Sequence, residues 1–370
     1  MARTNSLPRN PALAEPRSIL VVSLRYLGDM LLATPLIGTL RAAWPGAAID
    51  VLAIAGAEGA VEGNPDVRRA IVTERGEFLA LWRSIGRRYD LAVIAETADR
   101  PHFCGWLAAP RRVGLLPTQR SKRWWKAPLL ERSVDSPEDL ARPLAYRKLA
   151  EALGLAWRPA MVAPTAHTAD GAWRALVGFD AAAERFAVLH VAPRFRYKRW
   201  NTPGWHALIG WLHGQGLRVV VTGGPAENEH VYVREVIAGA PAPVVNVAGR
   251  LSFAQTADLL RRAAIFVGPD TATTHLAAAC GTPTVALFGP TDPRLWGPIP
   301  RDGLAQPYEK VMPLQRRERV ALLQEPSLDC VPCQQEGCDR HRESRAECLD
   351  RMDAARVIAA AQGLLSRSGA

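Results

Sequence analysis

The stretch "FVGPDTATTHLAAACGTPTVALFG", Phe266 to Gly289, decides how the chain is read. A short apolar run beginning one residue earlier, at Ile265, stops at Asp270. A polar turn with Thr271, Thr273, Thr274 and His275 follows, and a run of small residues then leads to a second apolar run. Strand, turn, helix and strand in that order make a parallel βαβ unit. The helix starts at the carboxyl end of its strand, so its unpaired amides and positive dipole end face the edge where such sheets bind ligands. Phosphate can bind there without a metal, with threonine hydroxyls as further donors. His275 lies about one turn beyond Thr271 on the same face. The small residues Ala277 to Ala279 let the helix pack closely on its sheet. A capped, buried helix would explain these alanines, but it gives the polar residues from Asp270 to His275 no purpose.

The same alternation extends outward. Upstream come "FAVLHVAP", a helix over Pro203 to His213, "LRVVVTGG", a helix over Glu227 to Ala238, "PVVNVAG" and a helix over Phe253 to Ala263. With "IFVG" and "TVALFG" these strands predict a doubly wound sheet. From Ser18 a first series reads "ILVVSL", a helix over Met30 to Ala43, "AIDVLA", "AIVTE", a helix over Glu77 to Arg87, and "LAVIAE". The segment from Pro101 to Asp139, rich in Arg, Lys, Trp and Pro, loses the alternation; a helix over Leu140 to Leu153 follows it. Two α/β domains in one chain put the ligand site in the cleft between them.

A chain of 370 residues with 48% hydrophobic content is long enough to give each domain a core. Its longest apolar runs fall far short of the about 20 residues that cross a bilayer. The N-terminal "MARTNSLPRNPALAEPRS" is basic and proline-broken without the apolar core of a secretory signal, so a cytoplasmic protein is expected. A net charge of +10 favours anionic partners: nucleotides, phosphorylated sugars, anionic lipid or nucleic acid.

Three other strand ends carry candidate chemistry. In "SLRYLGDMLLATP" Gly28 permits a tight turn and Asp29 starts a helix, either as an N-cap or as a general base facing the cleft. "HVAPRFRYKRW" brings Arg194, Arg196, Lys198 and Arg199 to the corresponding edge of the second domain, where cations would neutralise a diphosphate. Trp200 is expected to anchor that loop against the helix that Pro203 begins. "VVVTGGPAENE" sets Gly223 and Gly224 after a strand, with Glu227 and Glu229 in the first helical turn; capping and ribose binding remain equal readings. No Asp-X-Asp occurs, so the usual carboxylate pair for a divalent metal on a sugar nucleotide is missing, and no GxxxxGK[ST] phosphate loop is present.

Together these junctions resemble the ADP-heptose:lipopolysaccharide heptosyltransferases, glycosyltransferase family 9. The resemblance rests on "RYLGDMLLATPLIGTLRAAWPGAAIDVL", "KRWNTPGWHALI", "VVVTGGPAENE", "VAGRLSFAQTADLLRRAAIFVGPDTATTHLAAACGTPTVALFGPTDPRLWGP" and a C-terminal cysteine cluster, in family order over nearly the whole chain. "LRYLGDMLLATP" looks most like the heptosyltransferase III subgroup. The resemblance implies a GT-B architecture, two doubly wound Rossmann-like α/β domains facing a central cleft. Residues 1–17 are then a flexible extension, 18–165 an acceptor-binding domain, 166–185 a linker, 186–350 a nucleotide-sugar-binding domain that includes the cysteines, and 351–370 a C-terminal helix.

The resemblance further implies an inverting, metal-independent transfer of heptose from ADP-heptose to the lipopolysaccharide inner core, with no required cofactor and no nucleic-acid partner. Asp29 takes the catalytic-base position and Lys198 the phosphate contact. Arg194, Thr222, Gly223, Glu227, Glu229, Asp270, Thr271, Thr273, Thr274 and His275 form the donor site. The sequence departs from the family at Pro193 and Phe195, where many members carry Ser or Thr, and at "PDTATTH", where Asp-Ser-Gly-Pro-Met-His is commoner.

On the acceptor side stand Arg25, Arg111, Arg112, Lys122 and Arg123, the last two beside Trp124 and Trp125, a mix suited to phosphorylated sugars or to the headgroup zone of the inner membrane's cytoplasmic face. Cys330, Cys333, Cys338 and Cys348 have one pair at zinc-like spacing and admit a structural zinc, against packed or free thiols. Two rivals stay open: a UDP-sugar transferase or 2-epimerase of the same architecture, and a noncatalytic protein that binds lipopolysaccharide or nucleic acid through its positive charge.

Overall fold

The computed structural model describes residues 15–137 and 139–368; the expected loose extension falls largely outside them, as do the last two residues of the expected C-terminal helix. The chain divides into two compact units. The first holds residues up to Arg25, Pro35–Glu58 and Pro65–Arg158; the second holds Tyr26–Thr34, Gly59–Asn64 and the chain from Pro159 onward.

The first unit is built on β1 (Ser18–Val22), β2 (Ala48–Ala53), β3 (Arg69–Val72), β4 (Leu91–Ile94), β5 (Arg111–Leu116) and β6 (Arg132–Asp135). All are parallel, in the order β3-β2-β1-β4-β5-β6. Continuous apolar runs such as "ILVV" suit central strands covered on both faces. Asp50 in β2 is fully buried and held by Arg68 at 2.7 and 2.8 Å, Arg69 at 2.9 Å and the Tyr89 hydroxyl at 2.6 Å. Burial would raise its carboxyl, but these partners hold it below the ordinary range.

Between β1 and β2 the expected single helix is two, α1 (Leu27–Leu32) and α2 (Thr34–Ala43). Pro35 explains the break: it has no N–H to continue α1 and fits the first turn of a new helix. Next come α3 (Phe78–Ile85) and α4 (Asp99–Ala108), whose Leu81, Ile85, Cys104 and Leu107 share one core cluster. The segment read as irregular therefore contains α4, β5, α5 (Arg120–Arg123) and β6, followed by α6 (Arg142–Ala152).

The second unit opens with α7 (Asp170–Val177), which lies where a linker was expected. It buries Trp173 and Val177 and stops at Gly178, whose φ of 76° favours glycine. Its strands are β7 (Phe186–Ala192), β8 (Arg218–Gly223), β9 (Val244–Asn246), β10 (Ile265–Pro269), β11 (Thr284–Leu287), β12 (Leu314–Arg317) and β13 (Val320–Leu323). They run in the order β12-β13-β11-β10-β7-β8-β9, with only β12 antiparallel. The helices are α8 (Thr202–Gly214), α9 (Glu227–Ala238), α10 (Phe253–Arg262), α11 (Ala272–Ala279), α12 (Pro293–Trp296), α13 (Glu347–Asp350) and α14 (Ala354–Ser368). Good local signals set their starts: the Asn201 side chain caps α8 through the Gly204 amide at 2.7 Å, and Ser252 with Gln255 forms a full capping box on α10.

Candidate active site

The site is assembled inside the second unit, at the carboxyl ends of β7, β8 and β10. Strand β10 ends at Pro269 and delivers Asp270, which is buried. Thr271 is the N-cap of α11 and makes no side-chain cap hydrogen bond. The 3₁₀ turn Arg196–Lys198 after β7 brings the Lys198 Nζ to 2.7 Å from Asp270 Oδ2 and 3.2 Å from its backbone carbonyl. On the other side of the carboxylate, His275 Nε2 lies 3.9 Å from Oδ1.

Helix α1 completes the group. Gly28 faces the start of α11 so closely that a Cβ there would lie 3.5 Å from the Ala272 Cβ. Asp29, buried in the first turn of α1, is near enough for its charge to act on His275. Tyr26, not Asp29, occupies the N-cap, so the capping reading of Asp29 does not hold. Although Asp29 follows the first strand of the first unit, residues 26–34 group with the second.

The electrostatics follow from burial. Desolvation would raise the Asp270 carboxyl, but Lys198 and His275, with a hydrogen bond from Thr291, hold it below the usual carboxylate range. Burial pushes His275 below the usual imidazole value; Asp270 and Asp29 pull it up, while Lys198 adds to the lowering. Its Nδ1 is buried without a hydrogen-bond partner. A diphosphate arriving at the start of α11 would meet an ammonium already neutralised by a carboxylate. Lys198 can serve it only by sharing or leaving Asp270.

The other expected donor residues divide by their partners. Thr274 is buried and its hydroxyl is given to the Pro269 carbonyl, while Thr271 lies 3.4 Å from it and Thr273 is half-buried. Thr222 is buried in β8, 3.2 Å from His190 Nδ1. Gly223 has room for little more, since a Cβ would stand 3.1 Å from the Ala248 Cβ. Glu229 is buried and accepts the Gly224 amide at 2.7 Å, so it braces the glycine turn. Glu227 is exposed and paired with Arg234 at 2.8 Å. Arg194 is exposed with its guanidinium over the Phe195 ring. Trp200 anchors its loop as expected, edge-on to Trp205 at 4.9 Å and donating to the Met352 carbonyl at 2.9 Å. A cavity of about 640 Å³ lined by Arg196, Arg199, Trp200, Tyr232, Glu235 and Arg345 includes neither Lys198 nor Asp270 in its lining.

Sequence reasoning passed over His190. It sits fully inside the sheet, where burial lowers it to about 4, so it is neutral. A histidine in an otherwise apolar strand was the available signal.

In the first unit, Arg111 pairs with Glu131 at 3.3 Å and Arg123 with Asp135 at 3.1 Å. Arg112 donates to the Leu129 and Ala109 carbonyls, and Arg25 is half-buried. Lys122 is exposed. The structural zinc that the cysteine spacing admits finds no grouped ligand set among the described residues. Cys330 and Cys338 are exposed and Cys348 is buried, and among the described residues no three His, Cys, Asp or Glu side chains are grouped to hold a metal ion. Burial, with Cys333 and Cys338 nearby, pushes the Cys348 thiol up to about 12.

Two doubly wound sheets, one carrying a cation, a carboxylate and a helix N-terminus at its ligand edge, define a two-unit α/β protein. The model of glycosyltransferase family 9 (heptosyltransferase) matches residues 78–325, and the chain belongs to that family. It is thus a glycosyltransferase. Lipopolysaccharide heptosyltransferase 3 of Escherichia coli is 29% identical over 294 residues, 74% of this chain and 84% of that protein. Two solved structures share the fold: a family 9 glycosyltransferase from Veillonella parvula, at a TM-score of 0.73 and 18% identity over 95% of this chain and 97% of that one, and the E. coli ADP-heptose lps heptosyltransferase II, at 0.72 and 22% over 95% and 100%. The fold is of the GT-B type.

Proposed function

We propose that the protein is an inverting, metal-independent transferase that moves heptose from ADP-L-glycero-D-manno-heptose to the inner-core oligosaccharide of lipopolysaccharide. The observation that carries the reading is the Lys198–Asp270–His275 cluster at the start of α11, with Asp29 beside it. Membership of the family and the names of the relatives support heptose as the sugar and lipopolysaccharide as the acceptor, and a structural neighbour named for ADP-heptose supports ADP as the nucleotide; the third-heptosyltransferase subgroup is the one we favour.

In this reading the ADP diphosphate sits over the amides that open α11. Lys198 turns from Asp270 to the developing charge, and hydroxyls of Thr271 and Thr273 add donors. Asp29 accepts the proton of an acceptor hydroxyl as that oxygen attacks the anomeric carbon, the C1–O bond to ADP breaks, and configuration inverts. Neutralisation by Lys198 and the helix end takes the place of a metal-binding Asp-X-Asp pair, which the sequence lacks. The acceptor is approached through the basic segment with Lys122, Arg123 and Trp124, on a protein peripheral to the cytoplasmic face of the inner membrane.

Calorimetric titration with ADP and with UDP tests the donor. An ADP preference that Lys198→Ala weakens supports the reading; a UDP preference overturns it. For the base, Asp29→Asn is expected to lower turnover by about 10²–10⁴-fold with ADP affinity retained, and near-normal turnover would remove Asp29 from that role.

A further inference from the structure

Helices that pack on a sheet normally spend their apolar residues on the buried face and show polar residues to water. Helices α3 and α4 of the first unit do not. Helix α3 buries Leu81 and Ile85, yet Phe78, Leu79 and Trp82 on its other faces are exposed, and α4 exposes Phe103 and Trp106, one turn apart. These five side chains are between 38% and 58% exposed. Three of them join the two helices: the Phe78 and Phe103 rings are 6.1 Å apart between centroids, and Phe103 and Trp106 are 5.8 Å apart, while Trp82 lies one turn from Phe78 along α3. An apolar patch of this kind marks an interaction surface rather than scatter.

The chain beside α4 says what meets it. Lys126 is buried against the first turn of α4, 2.6 Å from Asp99 and 2.8 Å from the Thr97 carbonyl, and Trp125 lies edge-on to His102 at 6.4 Å. These contacts pin the segment that precedes Lys126, which is α5 with Arg120 and Lys122 exposed and Trp124 72% exposed. Phe and Trp outnumber aliphatic side chains in the patch, and tryptophan beside lysine and arginine is the composition that settles at the headgroup level of a bilayer. The exposed charges of α5 are all positive, complementary to anionic headgroups.

We propose that the α3–α4 face inserts its aromatic side chains into the interfacial zone of an anionic phospholipid bilayer, with α5 and Trp124 as its charged flank. This extends the membrane contact proposed above from a basic loop to a two-helix aromatic footprint, and it rests on that reading of a lipid-borne acceptor. No residue of the patch belongs to the Lys198–Asp270–His275–Asp29 group.

The test is cosedimentation of the full chain with phosphatidylcholine vesicles, with and without phosphatidylglycerol, alongside light scattering of the protein alone. Wild type is expected to partition onto the anionic vesicles. Burial of one aromatic side chain changes a partition constant by roughly tenfold. Trp106→Gln should therefore cost about tenfold, and the triple change Trp82→Ser, Phe103→Ser, Trp106→Ser more than that. Lys122→Glu should weaken only the phosphatidylglycerol-dependent part. ADP affinity and transfer to a lipid-free acceptor oligosaccharide should be unchanged in the two aromatic variants, which also reports that they fold, and ADP affinity should be unchanged in Lys122→Glu. If transfer and ADP binding are absent in wild type, the proposed function fails, whatever the vesicles do. Equal partitioning of wild type and both aromatic variants overturns the inference, as does a wild-type oligomer that the triple change dissociates without any vesicle binding, since the face would then join copies of the chain.

Discussion

Removing the Lys198 ammonium should cost stability as well as activity, and the stability loss should depend on pH in a particular direction. In the resting protein Asp270 is buried with Lys198 at 2.7 Å, and Lys198 is itself only 21% exposed. Lys198→Ala leaves a buried carboxylate with the His275 imidazole at 3.9 Å, which burial shifts towards its neutral form. Breaking a fully buried pair costs about 3–5 kcal/mol. Residual exposure of Lys198 and the option of protonating His275 reduce this to about 2 kcal/mol. For a unit of this size that is about 4–8 °C in Tm. Asp270 is depressed below its ordinary value, so its pairing stabilises the protein above the unfolded carboxyl pKa and is lost as pH falls through the lower, folded one. The gap between wild type and Lys198→Ala, measured calorimetrically on ligand-free protein, should be full at pH 7 and shrink below about pH 4. Adding Asp270→Asn to Lys198→Ala should recover part of the stability by removing the orphaned charge, while transfer stays depressed by about 10²–10³-fold. A gap that is constant from pH 7 to pH 3, or a double variant no more stable than Lys198→Ala, would refute the reasoning.

Glu229→Ala should destabilise by about 1 kcal/mol, because the half-buried Gly224 amide loses its acceptor; Glu227→Ala, at an exposed side chain paired with Arg234, should leave Tm unchanged, and thermal melts of the two compare them directly. His190, buried and lowered to about 4, is protonated first in the unfolded chain as pH falls. Stability should therefore decline between about pH 6.5 and pH 4, by about 3 kcal/mol from this group, and His190→Gln should flatten that slope in urea titrations across the range. Gly204→Ala should destabilise α8, since the new Cβ would stand 2.4 Å from the Trp200 ring, and loss of the Trp200–Trp205 contact would appear in near-ultraviolet circular dichroism.

What could be read from the residues was whatever rests on a local signal. Apolar runs bounded by Gly and Pro located β1 to β4 and β7 to β11, because a strand covered on both faces must be nearly continuous in apolar residues. Four strands escaped: β13, "VALL", is a buried apolar run that was passed over, and the other three take their burial from elsewhere in the fold. In β5, "RRVGLL" opens on two arginines and contains a glycine, and its last four residues count as strand only because β4 and β6 flank them. Strand β6, "RSVD", has no apolar pattern at all, and β12 is an antiparallel edge whose partner lies beyond a two-residue turn. The active-site group divides along the same line. Asp270, Thr271 and His275 adjoin one another in sequence and were legible as a strand-end turn. That Lys198 is already committed to Asp270, that Glu229 is spent on the Gly224 amide, and that Asp29 groups with α11 rather than with the strand preceding it are contacts between segments far apart in the chain. Spacing cannot encode them. The cysteines show the converse hazard, a suggestive spacing for which no ligand set is grouped among the described residues. Sequence motifs at strand ends therefore identify which side chains reach a ligand edge, while the pairing among those side chains decides which remain available to a ligand; for this protein, the second question turns on whether a diphosphate can draw Lys198 away from Asp270.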